Sequence, residues 1–221
     1  MRWVLDNLPM IGQQAWSHLL MALPAVVLSF LLALPVAWVA HRFRPGRAAL
    51  VAISGLVYAI PSLPLFVLLP MLIGTTVRDR WNVIAAMTLY GFGLMVRSAT
   101  DGLDAVGEGP NLSATAMGYG ALRRFFAVQL PLAGPSMLAG LRVVAVSTVS
   151  LVTVSALLGV PSLGQLFTDG FQRGILAEVL TGIVVTVALA WLLDAVLVGL
   201  GWLLLPWNRS AKPAPAREVD R

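Results

Sequence analysis

Long runs of apolar residues constrain this chain more than any other feature. Hydrophobic residues make up 58% of its 221 residues and charged residues only 11%, a balance that is unusual for a water-soluble domain. A helix needs about 20 mostly apolar residues to cross the hydrocarbon core of a bilayer. The sequence therefore predicts an all-α polytopic membrane protein with about five transmembrane helices, over residues 16–40, 48–73, 81–96, 131–158 and 175–205.

The segments outside these spans predict the domain organisation. Residues 1–15 lack the long apolar core and cleavage site of a signal peptide, and their tryptophan favours an interfacial segment on the outer side. Residues 208–221 are rich in Pro, Ala and charge, which is typical of a disordered tail. One transmembrane domain is expected over 16–207, with a polar loop at 97–130.

Basic residues are spread unevenly between the loops. If residues 41–47, 97–130 and the tail share one side, that side carries ten Lys or Arg and the other side four. Cytoplasmic loops hold an excess of Lys and Arg, so the N-terminus is predicted outside, and the C-terminus and the 97–130 loop in the cytoplasm. The net charge of +5 then fits the lipid bilayer as a partner, and no nucleic acid is expected. The ten are Arg42, Arg44, Arg47, Arg97, Arg123, Arg124, Arg209, Lys212, Arg217 and Arg221.

A glycine-centred pattern occupies the polar loop. Its first part reads LSATAMG over 112–118, where Asn111 is predicted to cap a short helix that ends at Gly118. A second helical stretch over 121–128 is predicted to present Leu122, Phe125 and Phe126 on one side, with Arg123 and Arg124 nearby, before Pro131 begins the next span. Two short helices that meet at a glycine form a knob for a partner's groove; an ordinary amphipathic loop on the membrane surface is the alternative.

This pattern resembles the cytoplasmic loop of bacterial ABC importer permeases, E-A-A-x3-G-x9-I-x-L-P. The match falls on Ala114, Gly118, Leu130 and Pro131, with Val128 in place of Ile. Leu112 and Ser113 stand where the family has Glu and its first Ala, so an ion pair to the ATPase is weakened or replaced by apolar contact. The resemblance assigns ATPase coupling to Leu112, Ser113, Ala114, Gly118, Leu122, Arg123, Arg124, Leu130 and Pro131.

The same resemblance implies a fold and partners. The fold is the type I ABC importer permease core in the bacterial inner membrane. The partners are a cytoplasmic ABC ATPase dimer, a second permease subunit and an extracytoplasmic solute-binding protein. The chain would be no enzyme, with ATP and Mg held by the partner ATPase and no cofactor or metal here. The sequence has no phosphate-binding loop of the G-x4-G-K-[ST] type, and His18 and His41 lack metal-ligand spacing.

Further segments are similar to the osmoprotectant permeases, which carry glycine betaine, choline or carnitine. Residues 59–66 read AIPSLPLF and are similar to the second span of that group, and residues 133–142 and 158–164 are similar to later landmarks. The implied solute carries a quaternary ammonium group. A permease for another small solute, such as an amino acid, and a secondary transporter are the alternatives. The sequence shows no inverted repeat of the kind that favours the latter.

Prolines and aromatic residues mark a candidate transport path. Prolines at 61, 64 and 70 are predicted to kink or break the second span, either beside a pathway or simply for packing. Aromatic faces attract quaternary ammonium ions by cation–π interaction. The pathway candidates are Tyr58, Pro61, Pro64, Phe66, Tyr90 and Phe92.

Two opposite charges lie at similar depth in different spans. Arg142 is 11 residues after Pro131, and Asp194 is 13 residues before Trp207. At a rise of about 1.5 Å per residue, both lie at a similar distance from the cytoplasmic ends of their helices. A structural ion pair is therefore predicted, since either charge alone is costly inside a membrane.

Overall fold

The computed structural model describes residues 2–209, and it is helical almost throughout. The predicted tail falls mainly on residues 210–221, which lie outside the described residues. Ten α-helices occur in the described part of the chain: α1 (Arg2–Asp6), α2 (Leu8–Arg42), α3 (Arg44–Ala59), α4 (Ser62–Ile73), α5 (Arg80–Ala105), α6 (Glu108–Ala116), α7 (Ala121–Arg124), α8 (Leu130–Val152), α9 (Gly164–Arg173) and α10 (Leu176–Leu204). A π turn (Phe125–Gln129) joins α7 to α8, and 3-10 turns follow at Thr153–Leu158 and Pro206–Arg209.

The expectation of about five spans is confirmed, with one of them broken. Within the described residues, four helical segments are long and apolar enough to cross a membrane: α2, α5, the continuous stretch Ala121–Leu158 and α10. Helices α3 and α4 together form a fifth candidate that bends by 104° between them. The break falls at Ile60 and Pro61, where the prolines predicted it.

Two helices extend beyond the predicted spans. The helix that contains the first predicted span begins at Leu8, so part of the predicted N-terminal segment belongs to α2. The helix that contains the third predicted span continues past residue 96 to Ala105. Beyond Val96 the sequence turns polar on one face only: Arg97 and Asp101 are exposed while Ala99 and Leu103 are buried. The helical period therefore continues after the apolar run ends.

Helix α5 is the centre of the bundle, with α2, α3 and α8 packed around it. Small residues permit these contacts, as is usual for helices packed in lipid. A Cβ at Gly93 would lie 2.5 Å from the Ser54 backbone oxygen in α3, so the two backbones touch. Helix α10, by contrast, exposes most of its apolar side chains.

The loops gather at the two ends of the bundle. At one end, the α2–α3 junction, the end of α5, α6 and α7 surround a cavity of about 760 Å³. At the other end α9 packs against α10 and the 3-10 turn, and Gln14 of α2 hydrogen-bonds Gln165 of α9 at 3.3 Å. The segment predicted as a gate or a connecting loop over 160–173 is thus mostly the amphipathic helix α9.

Candidate functional site

The glycine-centred loop forms a tight corner, which we call the α6 corner (residues 108–124). Gly118 has φ +79°, a left-handed conformation that ends the helix as predicted. The Tyr119 amide donates to the Ala114 carbonyl at 3.0 Å, and the Gly118 amide donates to the Thr115 carbonyl at 2.9 Å. These two bonds satisfy carbonyls that the helix end would otherwise leave free.

The start of α6 differs from the prediction. The helix begins at Glu108 after Gly107, and Asn111 lies inside it instead of capping it. Pro110 is tolerated there because a proline in the first turn removes no helical hydrogen bond. The Asn111 side chain donates to the Gly107 carbonyl at 2.7 Å and accepts a hydrogen bond from Gln129 at 2.8 Å.

The second arm of the corner also differs. Residues 121–158 form one continuous helical stretch, so no independent short helix precedes the span. Leu122 and Phe126 are exposed, whereas Phe125 is buried and lies 5.8 Å from the Trp38 ring. The predicted shared face of these three residues was wrong, because the wider π turn shifts the register.

Side-chain contacts hold α6 rigidly against this second arm. Arg124 donates to the Thr115 hydroxyl at 2.6 Å, in addition to the bond between Gln129 and Asn111. The Arg123 guanidinium lies 4.2 Å from the centre of the Tyr119 ring. The corner is thus a preformed knob, which needs little ordering to fit a partner.

The residues assigned to ATPase coupling come together at this corner. Ala114 is 1% exposed and packs inward, while Leu112 and Leu122 are 67% and 65% exposed. Ser113 is exposed and donates to the Gly109 carbonyl, and Leu130 and Pro131 open α8 behind the corner. At the position of the family Glu, the surface is therefore apolar.

The break between α3 and α4 is fastened to α5. The Tyr90 hydroxyl donates to the Ile60 carbonyl at 2.5 Å, and the Asn82 amide donates to the Phe66 carbonyl at 2.8 Å. Pro61 immediately precedes α4 and Pro64 lies in its first turn, where neither removes a helical bond. Carbonyls freed near the break are thus satisfied inside the protein, as membrane depth requires.

The aromatic pathway candidates differ in their exposure. Phe66 is fully buried and Tyr90 is 4% exposed, so both rings pack between helices in this structure, and their role in the pathway stays a prediction. Tyr58 stacks edge-on against Tyr90 at 5.7 Å and keeps a partly exposed face. Phe92 is half-buried.

Arg142 and Asp194 form the predicted ion pair between α8 and α10. Arg142 Nε lies 2.6 Å from Asp194 Oδ1, and Arg142 Nη2 lies 2.7 Å from Asp194 Oδ2. This is the bidentate geometry that suits a planar guanidinium and a carboxylate. Both side chains remain partly exposed on the bundle surface.

A group of interacting polar and charged side chains beside the α6 corner was not predicted from the sequence. Asp104 contacts both His41 and Arg47, and Arg47 also contacts Asp101. His41, Arg47 and Asp104 line the 760 Å³ cavity. The only available signal was the spacing of Asp101 and Asp104, three residues apart on one face of a helix that was predicted to end before them.

Comparison with known proteins assigns the chain to a family. The sequence-family model for the binding-protein-dependent transport system inner membrane component matches residues 33–209. The chain belongs to this family. It is accordingly an inner-membrane, non-catalytic subunit of an ABC transporter, which works with a separate ATPase and a solute-binding protein.

Individual relatives agree with this assignment. The glycine betaine/carnitine/choline permease OpuCD of Bacillus subtilis is 25% identical over 86% of this chain and 81% of its own length. The osmoprotectant import permease OsmW of Salmonella typhimurium is 26% identical over 92% of this chain and 96% of its own length. The ergothioneine transport permease/binding protein EgtU of Helicobacter pylori is 35% identical over 58% of this chain, which corresponds to 22% of EgtU.

A solved structure shows the same fold. The MetNI methionine ABC transporter, in an inward-facing conformation, contains a chain that matches with a TM-score of 0.78 and 20% identity, covering 90% of this chain and 98% of that one. The predicted type I importer permease core is therefore confirmed.

Proposed function

We propose that this chain carries small solutes with a quaternary ammonium group, such as glycine betaine, choline or carnitine. Relatives that match more than four fifths of the chain are named as permeases for glycine betaine, carnitine or choline, and another is named as an osmoprotectant import permease. Ergothioneine, named for the more identical but partial relative, also carries a trimethylammonium group. The shared chemistry supports a solute class more strongly than any single compound.

The observation that carries the mechanism is the α6 corner. It presents exposed Leu112, Met117 and Leu122 on a rigid knob, and it lies directly between the ends of α5 and α8. In this proposal an ATPase dimer binds the knob. The helix bundle has two conformations, and ATP-driven closure of the dimer favours one of them. Transport then follows from differential binding of two conformations, and ATP and Mg²⁺ are held by the ATPase.

A second permease subunit completes the pathway in this proposal. Helix α4 carries no charged residue, yet Met71 and Leu72 are 82% and 81% exposed. An apolar surface of this kind in a membrane protein faces lipid or another helix. The α3–α4 break, with Tyr58, Pro61, Pro64 and the nearby Phe92, would line the path between the two permeases.

The proposed topology places the N-terminus outside and the C-terminus in the cytoplasm. Arg42, Arg44, Arg47, Arg123 and Arg124 all lie at the end of the bundle that holds the α6 corner, as the positive-inside rule expects for a cytoplasmic face. Helix α9, at the opposite end, would then lie beneath the docked solute-binding protein.

Reconstitution in proteoliposomes tests this function. The chain is co-expressed with its ATPase and solute-binding protein, and uptake of labelled glycine betaine, choline and glycine is measured with and without ATP. Glycine is the matched control, because it differs from glycine betaine only by three methyl groups. ATP-dependent uptake of the two methylated solutes, but not of glycine, is expected.

Each other result removes a definite part of the proposal. ATP hydrolysis with uptake of glycine alone would overturn the quaternary ammonium class. Gradient-driven uptake by this chain without an ATPase would contradict the coupling mechanism and favour a secondary transporter.

A further inference from the structure

A cluster of polar and charged side chains joins three helices at the cytoplasmic end of the bundle, and the proposed function does not explain it. His41 at the end of α2 lies 2.6 Å from Asp104 in the last turn of α5 through Nδ1 and Oδ1. Arg47 Nη2, near the start of α3, lies 2.5 Å from Asp104 Oδ2 and 3.3 Å from Asp101 Oδ1. We call these four residues the Asp104 cluster.

Local helix electrostatics disfavours these charges unless they are paired. A cation near a helix N-terminus and an anion near a helix C-terminus both oppose the helix dipole. Arg47 occupies the first kind of position in α3, and Asp101 and Asp104 occupy the second kind in α5. The pairing across helices offsets both costs, so these charges stabilise the contact between α3 and α5 specifically.

The Asp104 cluster lies at the joint to the α6 corner. Asp104 is followed after two residues by Gly107, whose φ of +74° and ψ of −179° form the sharp turn into α6. On its other side α6 is bonded to the start of α8 by the Gln129–Asn111 and Arg124–Thr115 hydrogen bonds. Any displacement of α6 therefore reaches the end of α5 through a two-residue link.

Helix α3 is fastened to α5 along its whole length. The Asp104 cluster holds the cytoplasmic end, the backbone contact between Ser54 and Gly93 holds the middle, and the Tyr90–Ile60 hydrogen bond holds the break. Among these, the cluster is the fastening nearest to α6. It is also the part built from long side chains that can separate.

We propose that Asp104 is a positioning residue that makes α3 and α5 move as one body with the α6 corner, so that movement of the corner reaches the α3–α4 break. This inference rests on the proposed ATP-driven transport. Without the carboxylate, α6 and α5 move while the cytoplasmic end of α3 lags behind. ATP hydrolysis then continues with less solute moved per ATP.

The first experiment measures solute transported per ATP hydrolysed in proteoliposomes of the full transporter. Asp104→Asn should lower this ratio about 5-fold or more, the range of ordinary coupling energies, while hydrolysis persists. Arg44→Gln is the matched control: Arg44 lies in α3 outside the α6 corner, and its ion pair with Glu108 at 3.7 Å joins two side chains that are more than four-fifths exposed, so the ratio should not change. An equal fall of transport and hydrolysis in Asp104→Asn would mean a merely structural role and would overturn the proposal.

The second experiment measures the shared movement directly. The chain has no cysteine, so the double variant Leu56→Cys, Met117→Cys carries one spin label in α3 and one in the α6 corner, at two exposed positions. The distance between the labels should stay constant in the wild-type complex when the ATPase is trapped with nucleotide, and it should change in Asp104→Asn. A change already in the wild type, or none in the variant, would overturn the proposal. Because these distances are read without transport, absence of solute uptake by the wild type would count against the proposed function alone.

Discussion

Replacement of Gly118 by valine tests the α6 corner with a calculable cost. Gly118 has φ +79°, a conformation that costs an L-residue about 1–2 kcal/mol. Nothing lies within 4 Å of an ideal Cβ at this position, so the cost comes from the backbone and not from a clash. Branching at Cβ restricts the valine further.

The cost falls on the bonds that close the corner. If the turn opens, the Tyr119–Ala114 and Gly118–Thr115 hydrogen bonds are lost together. A penalty of one or two kcal/mol lowers the ratio of closed to open corner by a factor of about 5–30. Because the apparent affinity follows the closed fraction, we expect the affinity of the chain for its ATPase and the ATP-dependent uptake to fall by up to that factor.

The assay compares Gly118→Val with Gly109→Ala in reconstituted transporters and in a binding titration with the ATPase. Gly109 lies in the same helix, has open space around an ideal Cβ and does not have a left-handed φ. Alanine there should be neutral or slightly favourable, because alanine suits a helix interior better than glycine. Wild-type affinity and uptake in Gly118→Val would refute the reasoning.

Three other substitutions test the packing of the bundle. Gly93→Ala places a Cβ 2.5 Å from the Ser54 backbone oxygen, and overpacking of this kind costs about 1–3 kcal/mol. A clearly lower thermal unfolding temperature in detergent is expected, and an unchanged temperature would contradict the contact. Reversing the charge at Arg142 or at Asp194 alone should prevent assembly of the transporter, and exchanging both should partly restore assembly, since the two side chains form a bidentate pair. If size-exclusion chromatography shows no assembled transporter for the double exchange, the two residues do not pair in the membrane. Tyr90→Phe removes the donor to the carbonyl at the α3–α4 break and should destabilise the chain by about 1 kcal/mol, detectable as faster proteolysis near the break; a wild-type cleavage pattern would count against this role.

The features that the sequence predicted are those set by local chemistry. Apolar runs predict the spans, because every helix that crosses a bilayer needs about 20 mostly apolar residues. Pro61 and Pro64 predicted the break, since a proline disrupts a continuous helix in any environment. Gly118 predicted the end of α6, because glycine readily adopts the left-handed conformation that ends many helices. Arg142 and Asp194 could be paired from depth alone, because two opposite charges within the spans leave few other solutions.

The features that the sequence did not predict depend on partners distant in the chain. Helix α5 continues past Val96 because one face of this part, with Ala99 and Leu103, is buried against other helices. Phe66 and Tyr90 became packing residues for the same reason. The Asp104 cluster joins His41 to a residue 63 positions away, and no local pattern indicates that distance. Helix ends and the exposure of aromatic rings depend on these long-range contacts, which a local sequence pattern does not show.

Cross-linking from Leu112 tests most directly whether the α6 corner receives the ATPase. Since the chain has no cysteine, Leu112→Cys provides a single thiol on the exposed corner. Leu157→Cys provides a matched one, because Leu157 is 60% exposed in the 3-10 turn at the opposite end of the bundle. Each variant is co-purified with the ATPase, labelled with a photoactivatable thiol reagent and illuminated with and without trapped nucleotide. The account predicts a covalent adduct with the ATPase from Leu112→Cys, with a yield that changes with nucleotide, and none from Leu157→Cys. No adduct from Leu112→Cys, or equal adducts from both positions, would contradict it.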